Sequence, residues 1–298
     1  MATLRGMPRR LGLVLALALL AALAAQASAT APGRAGRIAY VSEPQLAGAF
    51  VESVLPSGAS ARRLSAKLPH GSFGLSFAPG ATRVALTIQK PDGRHVQILS
   101  GGKLRDLARG RAPAWSPDGR WIAFLSGQTV GSAIFLVHPD GTGLHAIGPR
   151  HVALGASTPA WSPDSRTLVY TRETNGRTAL WAIGVDGSRM RTLVTSRSAT
   201  QPTFSPDGRR VAFIGFGANG RMGIWTVGAD GRGARPLRVV PGSKTLFHHP
   251  VYSPDGRSLA FVLQGSWSRI AVMSATGGAH RVVSPRTRFI GGVDWARA

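Results

Sequence analysis

Short apolar runs alternate with polar turn sequences along the chain from about residue 36 onward. In a representative stretch, Ser-Pro-Asp-Gly at residues 116–119 is followed by the apolar residues 122–124. Proline presets the backbone of the second turn position and glycine closes the turn, so the flanking runs are expected to be β-strands joined by a hairpin. Third and fourth runs, such as residues 134–137 and 191–194, complete the units. The pattern predicts an all-β protein built from units of four antiparallel strands.

The turn sequence recurs at a regular interval, and an aromatic residue precedes it each time. These residues are Trp115, Trp161, Phe204 and Tyr252, with a degenerate first copy at Phe77. Neighbouring copies lie 38 to 48 residues apart. A period of about 40–50 residues is typical of four-stranded propeller blades, so each copy is interpreted as one blade.

The two ends of the chain complement each other. Trp295 occupies the aromatic position again, but the chain ends three residues later, without the strand that should follow. Residues 37–41 match that strand as it occurs at residues 210–214. One inner strand from the C-terminus and three strands from residues near 37–65 would form a sixth, composite blade. The prediction is a six-bladed β-propeller over residues 36–298, closed by both termini, which hides the sheet edges.

The repeated string, an aromatic residue followed by Ser-Pro-Asp-Gly and an apolar run, resembles the WD40-like (PD40) repeat of the TolB propeller. It is also similar to repeats in the propellers of prolyl-oligopeptidase-like peptidases. The resemblance covers about residues 36–298. It implies the six-bladed fold and, by analogy, an adaptor role such as docking to a peptidoglycan-associated lipoprotein. The chain departs from both families, because it leaves no room for the α/β domain that precedes the TolB propeller or for a hydrolase domain.

Residues 1–29 have the pattern of a signal peptide. Three arginines precede an apolar run at residues 11–25, and Ala-Ser-Ala at residues 27–29 supplies a small-x-small cleavage site. The run is shorter than the roughly 20 residues that span a bilayer comfortably. We expect cleavage after this site, a short linker at residues 30–35, and a mature extracytoplasmic protein with no integral membrane span. An uncleaved anchor is the alternative.

Composition and motifs argue against most catalytic chemistry. The chain contains no cysteine, which excludes disulfides, thiol nucleophiles and cysteine-based zinc sites. No G-x-S-x-G elbow, phosphate-binding loop or H-E-x-x-H motif occurs. Most aspartates lie in turn sequences, where they cap backbone N–H groups. Asp294 is interpreted as a variant of the residue before the repeated aromatic, although it could face the channel. We therefore predict no catalytic residues, no cofactor and no metal.

Histidines near the predicted channel keep an enzymatic alternative open. His248 and His249 stand at the start of an inner strand, and His70 has a comparable place. Neighbours on a strand point to opposite sides, so at most one of the pair faces the channel. Some propeller lyases that act on acidic sugars resemble this arrangement, with channel histidines holding a metal. The alternative function is that of a propeller enzyme, a metal-assisted lyase or hydrolase acting on a polysaccharide.

The chain is strongly basic, with 36 Lys+Arg against 13 Asp+Glu and a formal net charge of +23. The arginines are spread over all the repeats, and no dense basic tract or basic-aromatic motif for nucleic acid is present. Such a charge should attract anionic envelope polymers in a salt-dependent manner. We expect an envelope protein or an anionic polymer as partner, no nucleic acid, and a monomeric chain.

The surface expected to bind the partner is the face where the inner strands begin, around the mouth of the central channel. Positions there vary between repeats, and binding residues commonly lie on variable loops of a rigid scaffold. Trp267 lies off the repeat, and aromatic residues are enriched in binding hot spots. The candidate partner-binding residues are His70, Arg111, Thr158, Gln201, His248, His249, Arg288, Asn175, Arg177, Arg221 and Trp267, with Gln128 and Asn219 in the same loops. The predicted function is a secreted or periplasmic, non-enzymatic binding propeller.

Overall fold

The computed structural model describes residues 35–43, 48–69, 71–126, 132–149, 158–174, 177–195, 198–217, 220–239 and 245–297. All of them belong to one compact unit, Pro32–Ala298. The predicted signal peptide at residues 1–29 lies outside the described ranges. Within these ranges, no helix has the length and apolar character needed to cross a membrane.

Among the described residues, β-strands are the only regular secondary structure, and they form six antiparallel sheets of four strands. The strands are β1 Ala35–Glu43, β2 Phe50–Val54, β3 Arg62–Arg63, β4 Phe73–Phe77, β5 Arg83–Lys90, β6 Gly93–Ser100, β7 Lys103–Arg109, β8 Arg111–Trp115, β9 Ile122–Ser126, β10 Ala133–Val137, β11 His145–Ile147, β12 Ala160–Trp161, β13 Thr167–Thr174, β14 Arg177–Gly184, β15 Arg191–Val194, β16 Thr200–Phe204, β17 Arg210–Phe216, β18 Met222–Gly228, β19 Arg235–Val239, β20 Leu246–Tyr252, β21 Ser258–Gln264, β22 Ser268–Ser274, β23 His280–Val282 and β24 Phe289–Arg297.

The sheets are the blades of a β-propeller, which confirms the predicted fold. Strands β4–β7, β8–β11, β12–β15, β16–β19 and β20–β23 form blades 1 to 5, with the first strand of each nearest the axis. The composite blade has the order β24-β1-β2-β3, so its inner strand comes from the C-terminus. Ile38 pairs with Trp295 and Tyr40 with Val293 across the closing seam. The ring is therefore closed by main-chain hydrogen bonds between the two ends of the propeller.

The repeated turn sequence is explained by a serine–aspartate pair as well as by proline and glycine. In blades 2 to 5 the serine hydroxyl donates to aspartate Oδ1 at 2.5 to 2.6 Å. The same carboxylate oxygen accepts the backbone N–H two residues further on, at 3.0 to 3.1 Å. The serine oxygen accepts the N–H five residues on, at 2.9 Å. Each motif thus provides side-chain acceptors for backbone N–H groups in the turn that are not paired within the β-sheet.

The apolar cores lie between neighbouring blades. Val96 and Ile98 of blade 1 pack with Trp115 and Phe124 of blade 2 in one buried cluster. The repeated tryptophans Trp115, Trp161 and Trp295 are therefore interblade packing residues. Burying each such side chain contributes roughly 1.5–3 kcal/mol, so blade-to-blade contact is a main source of stability.

The two faces of the propeller carry different connections. Each inner strand begins at one face of the propeller, here called the mouth face. It ends at the opposite face, where the repeated turn follows it, and this is here called the turn face. In blade 5, Leu246 pairs with Gln264, which in turn pairs with Ser268. The loop that contains Trp267 therefore lies on the mouth face. By the same alternation, the turn between the third and fourth strands of each blade lies on the turn face.

Candidate functional site

Most inner strands of blades 1 to 5 share a kink just after they begin. Gly74, Ala112, Gln201 and His249 have φ values of 62°, 54°, 54° and 50°, in the left-handed region. Each coincides with an irregularity in the pairing to the second strand. A proline follows the last three of these residues. The left-handed region costs non-glycine residues roughly 1–2 kcal/mol, so the surrounding packing must hold this geometry in place.

At the kink, side chains of one blade accept hydrogen bonds from the inner strand of the next blade. The backbone N–H of His249 in blade 5 donates to Oε1 of Gln201 in blade 4 at 2.6 Å. In blade 2, the N–H of Ala112 donates to Oγ1 of Thr87 in blade 1 at 3.0 Å. Gln201, a predicted partner-binding residue, therefore has a positioning role in the wall of the channel.

A cavity of about 270 Å³ runs along the axis and is lined by the inner strands of all six blades. Of the predicted site residues, Thr158, Gln201 and His249 line it. His248 is not among the lining residues, in keeping with the expectation that at most one of the two histidines faces the channel. The structure thus brings together three residues from blades 3, 4 and 5.

His249 presents a neutral imidazole to this cavity at neutral pH. Burial, and secondarily the neighbouring His248, lowers the pKa of His249 to about 4. Burial also lowers the pKa of His248. A neutral imidazole has one donor and one acceptor nitrogen, so His249 suits a polar ligand group better than an acidic one.

The rim of the mouth face is cationic and carries an exposed aromatic ring. Arg288 and Arg221 are exposed. Trp267 is 40% exposed, and the guanidinium of Arg286 lies 5.3 Å from its ring centroid. Arg111 is half-buried, and burial together with the nearby charge of Arg94 lowers its pKa. A guanidinium nevertheless keeps its charge in proteins, so the rim remains positive.

Several predicted residues cannot be placed in this surface. His70 and Asn175 lie outside the described residues, as do Gln128 and Asn219. Arg177 is the first residue of β14, and its side chain lies outside the described part.

Asp294 lines the cavity, and its carboxylate joins two blades. Its Oδ2 accepts the N–H of Phe77 in blade 1 at 2.8 Å, and its Oδ1 accepts the N–H of Trp295 at 2.8 Å. Ser76 does the same one blade further on, accepting the N–H of Trp115 at 2.9 Å. Asp294 thus occupies the position before the repeated aromatic residue, and its carboxylate connects the composite blade to blade 1.

An ionic cluster on the outer strands of blade 1 has no counterpart in the sequence-based predictions. The Nδ1 atom of buried His95 lies 3.0 Å from Asp106 Oδ2, and its Nε2 lies 3.1 Å from Asp92 Oδ1. Lys90 pairs with Asp106 at 3.2 Å and Arg109 with Asp92 at 2.7 Å. The pairing of β6 with β7 brings these residues together, so the linear sequence contains no motif for the cluster.

Arginines on the outer strands form a second feature that sequence reasoning missed. Each donates to a carbonyl oxygen in the turn between the third and fourth strands of the next blade. The pairs are Arg105 with Pro139, Arg191 with Ala229 at 2.6 Å, Arg238 with Gly278 at 3.2 Å, and Arg281 with Pro56. Some of the many arginines therefore have a structural role at the outer rim, where their hydrogen bonds join one blade to the next. We call these contacts the arginine clasps.

The described part of the chain contains no group of three or more His, Cys, Asp or Glu side chains placed to hold a metal ion. The cavity offers His249 and Asp294, each from a different blade. A metal held there would need ligands from the substrate or from water to complete its coordination.

The fold has clear relatives among solved structures. TolB from Acinetobacter baumannii superposes with a TM-score of 0.74 at 16% identity, over 88% of this chain and 66% of that one. A putative TolB from Agrobacterium tumefaciens gives 0.67 at 18% identity, over 88% and 99%. An oligogalacturonate lyase in complex with manganese gives 0.52 at 14% identity, over 84% and 73%. This chain thus spans slightly less than two thirds of the first of these, and identities so low show a common fold alone.

Sequence comparison identifies the family of the chain but no individual relative. No curated protein matches the chain significantly by sequence. The family model of the TolB beta propeller domain, PD40, matches residues 28–246, which is well over half of the chain. The matched region includes the repeated turns of blades 1 to 4 and the kinks at Gly74, Ala112 and Gln201, whereas the kink at His249 lies beyond it. The chain therefore belongs to the TolB β-propeller (PD40) family.

Proposed function

We propose that this protein is a non-enzymatic binding propeller that acts outside the cytoplasm and holds a partner across its mouth face. The observation that carries the proposal is the rim of that face. An exposed Trp267 lies beside Arg286, and Arg288 adds a further exposed cation. Neither arginine is ion-paired to a carboxylate within the described ranges. A partly exposed aromatic ring among uncompensated guanidiniums is a typical interaction surface.

The partner proposed is a cell-envelope protein or an anionic envelope polymer. Guanidinium groups bind carboxylate and phosphate groups through paired hydrogen bonds, and an aromatic ring adds apolar contact. The extracytoplasmic location rests on the signal-peptide pattern at residues 1–29. The axial cavity extends from His249 and Gln201, near the start of the inner strands, to the prolines of the turn face. A protruding group of the partner would enter it at the His249 end.

The proposal is tested by capture of partners from a native cell-envelope extract across a salt series. We expect a component that stays bound at about 0.5 M salt, where exposed charges are largely screened. Trp267→Ala combined with Arg288→Ala should reduce its recovery at least tenfold. The control is Arg257→Ala, which removes an exposed arginine from the turn face and should leave recovery unchanged. Recovery at low salt only, or equal loss in the control, would contradict a defined mouth-face site.

Protease and polysaccharide hydrolase treatment of the extract distinguishes the two partner classes. Loss of the captured component after protease treatment identifies a protein, whereas loss after hydrolase treatment identifies a polymer. A polymer would also show a steeper dependence on salt, because its charges repeat along the chain.

One observation favours the enzymatic alternative: the neutral imidazole of His249 faces the cavity and could ligate a metal. An oligogalacturonate lyase that binds manganese shares the fold, although that likeness is of the fold alone. This alternative predicts that the purified protein holds a stoichiometric metal that His249→Ala removes. Metal content below one tenth of an equivalent would contradict it.

A further inference from the structure

A cationic groove lies on the turn face between blades 1 and 2, opposite the proposed partner-binding surface. It has a volume of about 640 Å³ and is lined by Arg83, Arg105, Arg120, His138, Pro139 and Asp140. The three arginines are exposed and His138 is half-buried. Two features of this groove depart from the repeat that builds the rest of the propeller.

The first departure concerns Arg83. The aligned arginines of two other blades are held within their own blade, since Arg37 donates to Ser53 Oγ at 2.8 Å and Arg210 to Thr226 Oγ1 at 3.0 Å. In blade 1 the residue in the place of that hydroxyl is Ile98, which pairs with Ala85. Arg83 instead lies over Trp115 of blade 2, 5.0 Å from the ring centroid. Its guanidinium is therefore directed to the border between the blades.

The second departure concerns His138. The corresponding residues of blades 3, 4 and 5 are Gly184, Gly228 and Ser274, at the start of the same turn. The His138 ring stacks on Trp121 with a centroid distance of 3.7 Å, and its Nδ1 lies 2.8 Å from the carbonyl oxygen of Arg120. Nδ1 therefore carries a proton, and Nε2 has no hydrogen-bond partner in the described part of the chain.

The groove has a surplus of positive charge, and contacts orient two of its three arginines, Arg83 and Arg105. Arg105 donates to the carbonyl oxygens of Pro139 and Asp140, which directs it along the groove. None of its three arginines is ion-paired to a carboxylate among the described residues. The single carboxylate, that of Asp140, accepts the N–H and hydroxyl of Thr142, and these bonds lower its pKa. The lining of the groove thus has three guanidiniums and one carboxylate, which is engaged in its own turn.

We infer that this groove is a phosphate-binding site. Three guanidiniums and an imidazole nitrogen from two blades line one groove. This set matches the several oxygens of a phosphate group better than the two of a carboxylate, which one arginine satisfies. The shared chemistry could come from free phosphate or from a phosphate-bearing polymer that runs along the open groove. The site is independent of the mouth face and of the function proposed there.

The test is calorimetric titration of the full-length protein with inorganic phosphate and with linear polyphosphate, at about 0.15 M salt. Arg120→Ala removes an exposed guanidinium that makes no hydrogen bond or ion pair with any described residue, and should weaken binding at least tenfold. His138→Gly installs the residue that blades 3 and 4 have naturally, and should weaken binding severalfold. The matched control is Arg209→Ala, at the position of Arg120 in blade 4, which should change the affinity less than twofold.

The outcomes are distinguishable. Binding that is lost in Arg120→Ala and kept in Arg209→Ala supports the site, and the tighter of the two titrants identifies the source of the phosphate. Equal loss of affinity in Arg120→Ala and Arg209→Ala would mean that binding depends only on net charge, and would overturn the inference. Equal binding of polygalacturonate, with the same dependence on Arg120, would overturn the assignment to phosphate. Thermal unfolding of each variant checks that the fold is retained. Among the described residues, the hydrogen bonds of Arg120 involve only its backbone N–H and carbonyl oxygen, which the substitution keeps.

Discussion

At the residue scale, the channel residue His249 combines three constraints. Its backbone lies in the left-handed region, its N–H is held by Gln201, and its ring is placed against the cavity. Burial there disfavours the protonated ring, which is why its pKa falls to about 4. Burial of the His249 ring is therefore expected to make the fold sensitive to acid.

The stability of the protein should fall as the pH falls between about 6.5 and about 4. Over this window the unfolded chain binds a proton at His249 that the folded chain does not, so acid favours unfolding by up to roughly 3 kcal/mol. His249→Asn removes the titration and keeps a residue that tolerates the left-handed region. Urea unfolding at about pH 7.5 and about pH 4.5 should show a smaller loss for the variant than for the natural chain.

The control for this effect is exposed His145→Asn on β11, which should retain the acid sensitivity of the natural chain. If His249→Asn and the natural chain lose the same free energy of unfolding between the two pH values, His249 is not the source. The lowered pKa values of His248 and His280 act in the same direction and account for part of any residual loss.

At the scale of elements, the blades are joined by two kinds of contact. Near the axis, backbone N–H groups of inner strands donate to side chains of the preceding blade, such as the N–H of Ala112 on β8 to Thr87 on β5. At the outer rim, arginines of the fourth strands clasp the turn of the next blade. The first kind lies among buried residues, whereas the second is exposed and therefore individually weaker.

Arg191→Ala should lower the free energy of unfolding by about 1 kcal/mol, because it removes a charge-assisted bond of 2.6 Å from β15 to the carbonyl of Ala229 in blade 4. Arg257→Ala changes the net charge equally, but the hydrogen bonds of Arg257 to described residues involve only its backbone, which the substitution keeps. It should stay within about 0.5 kcal/mol of the natural chain. Chemical denaturation measures both. Equal effects of the two substitutions would mean that the clasp adds nothing beyond charge.

At the scale of the whole molecule, stability depends on closure of the ring. The composite blade pairs β24 with β1 along most of their length, and the interblade core there includes Ile38, Tyr40 and Trp295. Without β24, the inner edge of β1 would be unpaired and this core exposed. Unpaired strand edges with exposed apolar side chains invite aggregation.

A chain that ends at residue 288, and so lacks β24, is expected to lose cooperative unfolding and to aggregate on purification. A chain that lacks only residue 298 is the control and should behave like the natural protein. Size-exclusion chromatography and thermal unfolding monitored by Trp fluorescence provide the measurement. A monomeric truncated chain with an unchanged thermal midpoint would show that the closing seam is dispensable.

The repeat by itself determined the architecture. Turn sequences and apolar runs are local signals, and Trp295 at one end together with residues 37–41 at the other was sufficient to predict six blades and the composite closure. The mouth face could also be assigned, because antiparallel alternation places the loop of Trp267 beside the strand that begins at Leu246. The place of Thr158, Gln201 and His249 around the channel follows from the same regularity.

Tertiary structure alone decided the features that break the repeat. The groove joins Arg105 to a turn 35 residues away, and the direction of Arg83 depends on Ile98 across the sheet. Likewise, the contact of His95 with Asp106 exists only because β6 pairs with β7. Strand periodicity specifies which residues face a core or a turn, but partners on different strands meet through register and blade packing, which no local pattern encodes.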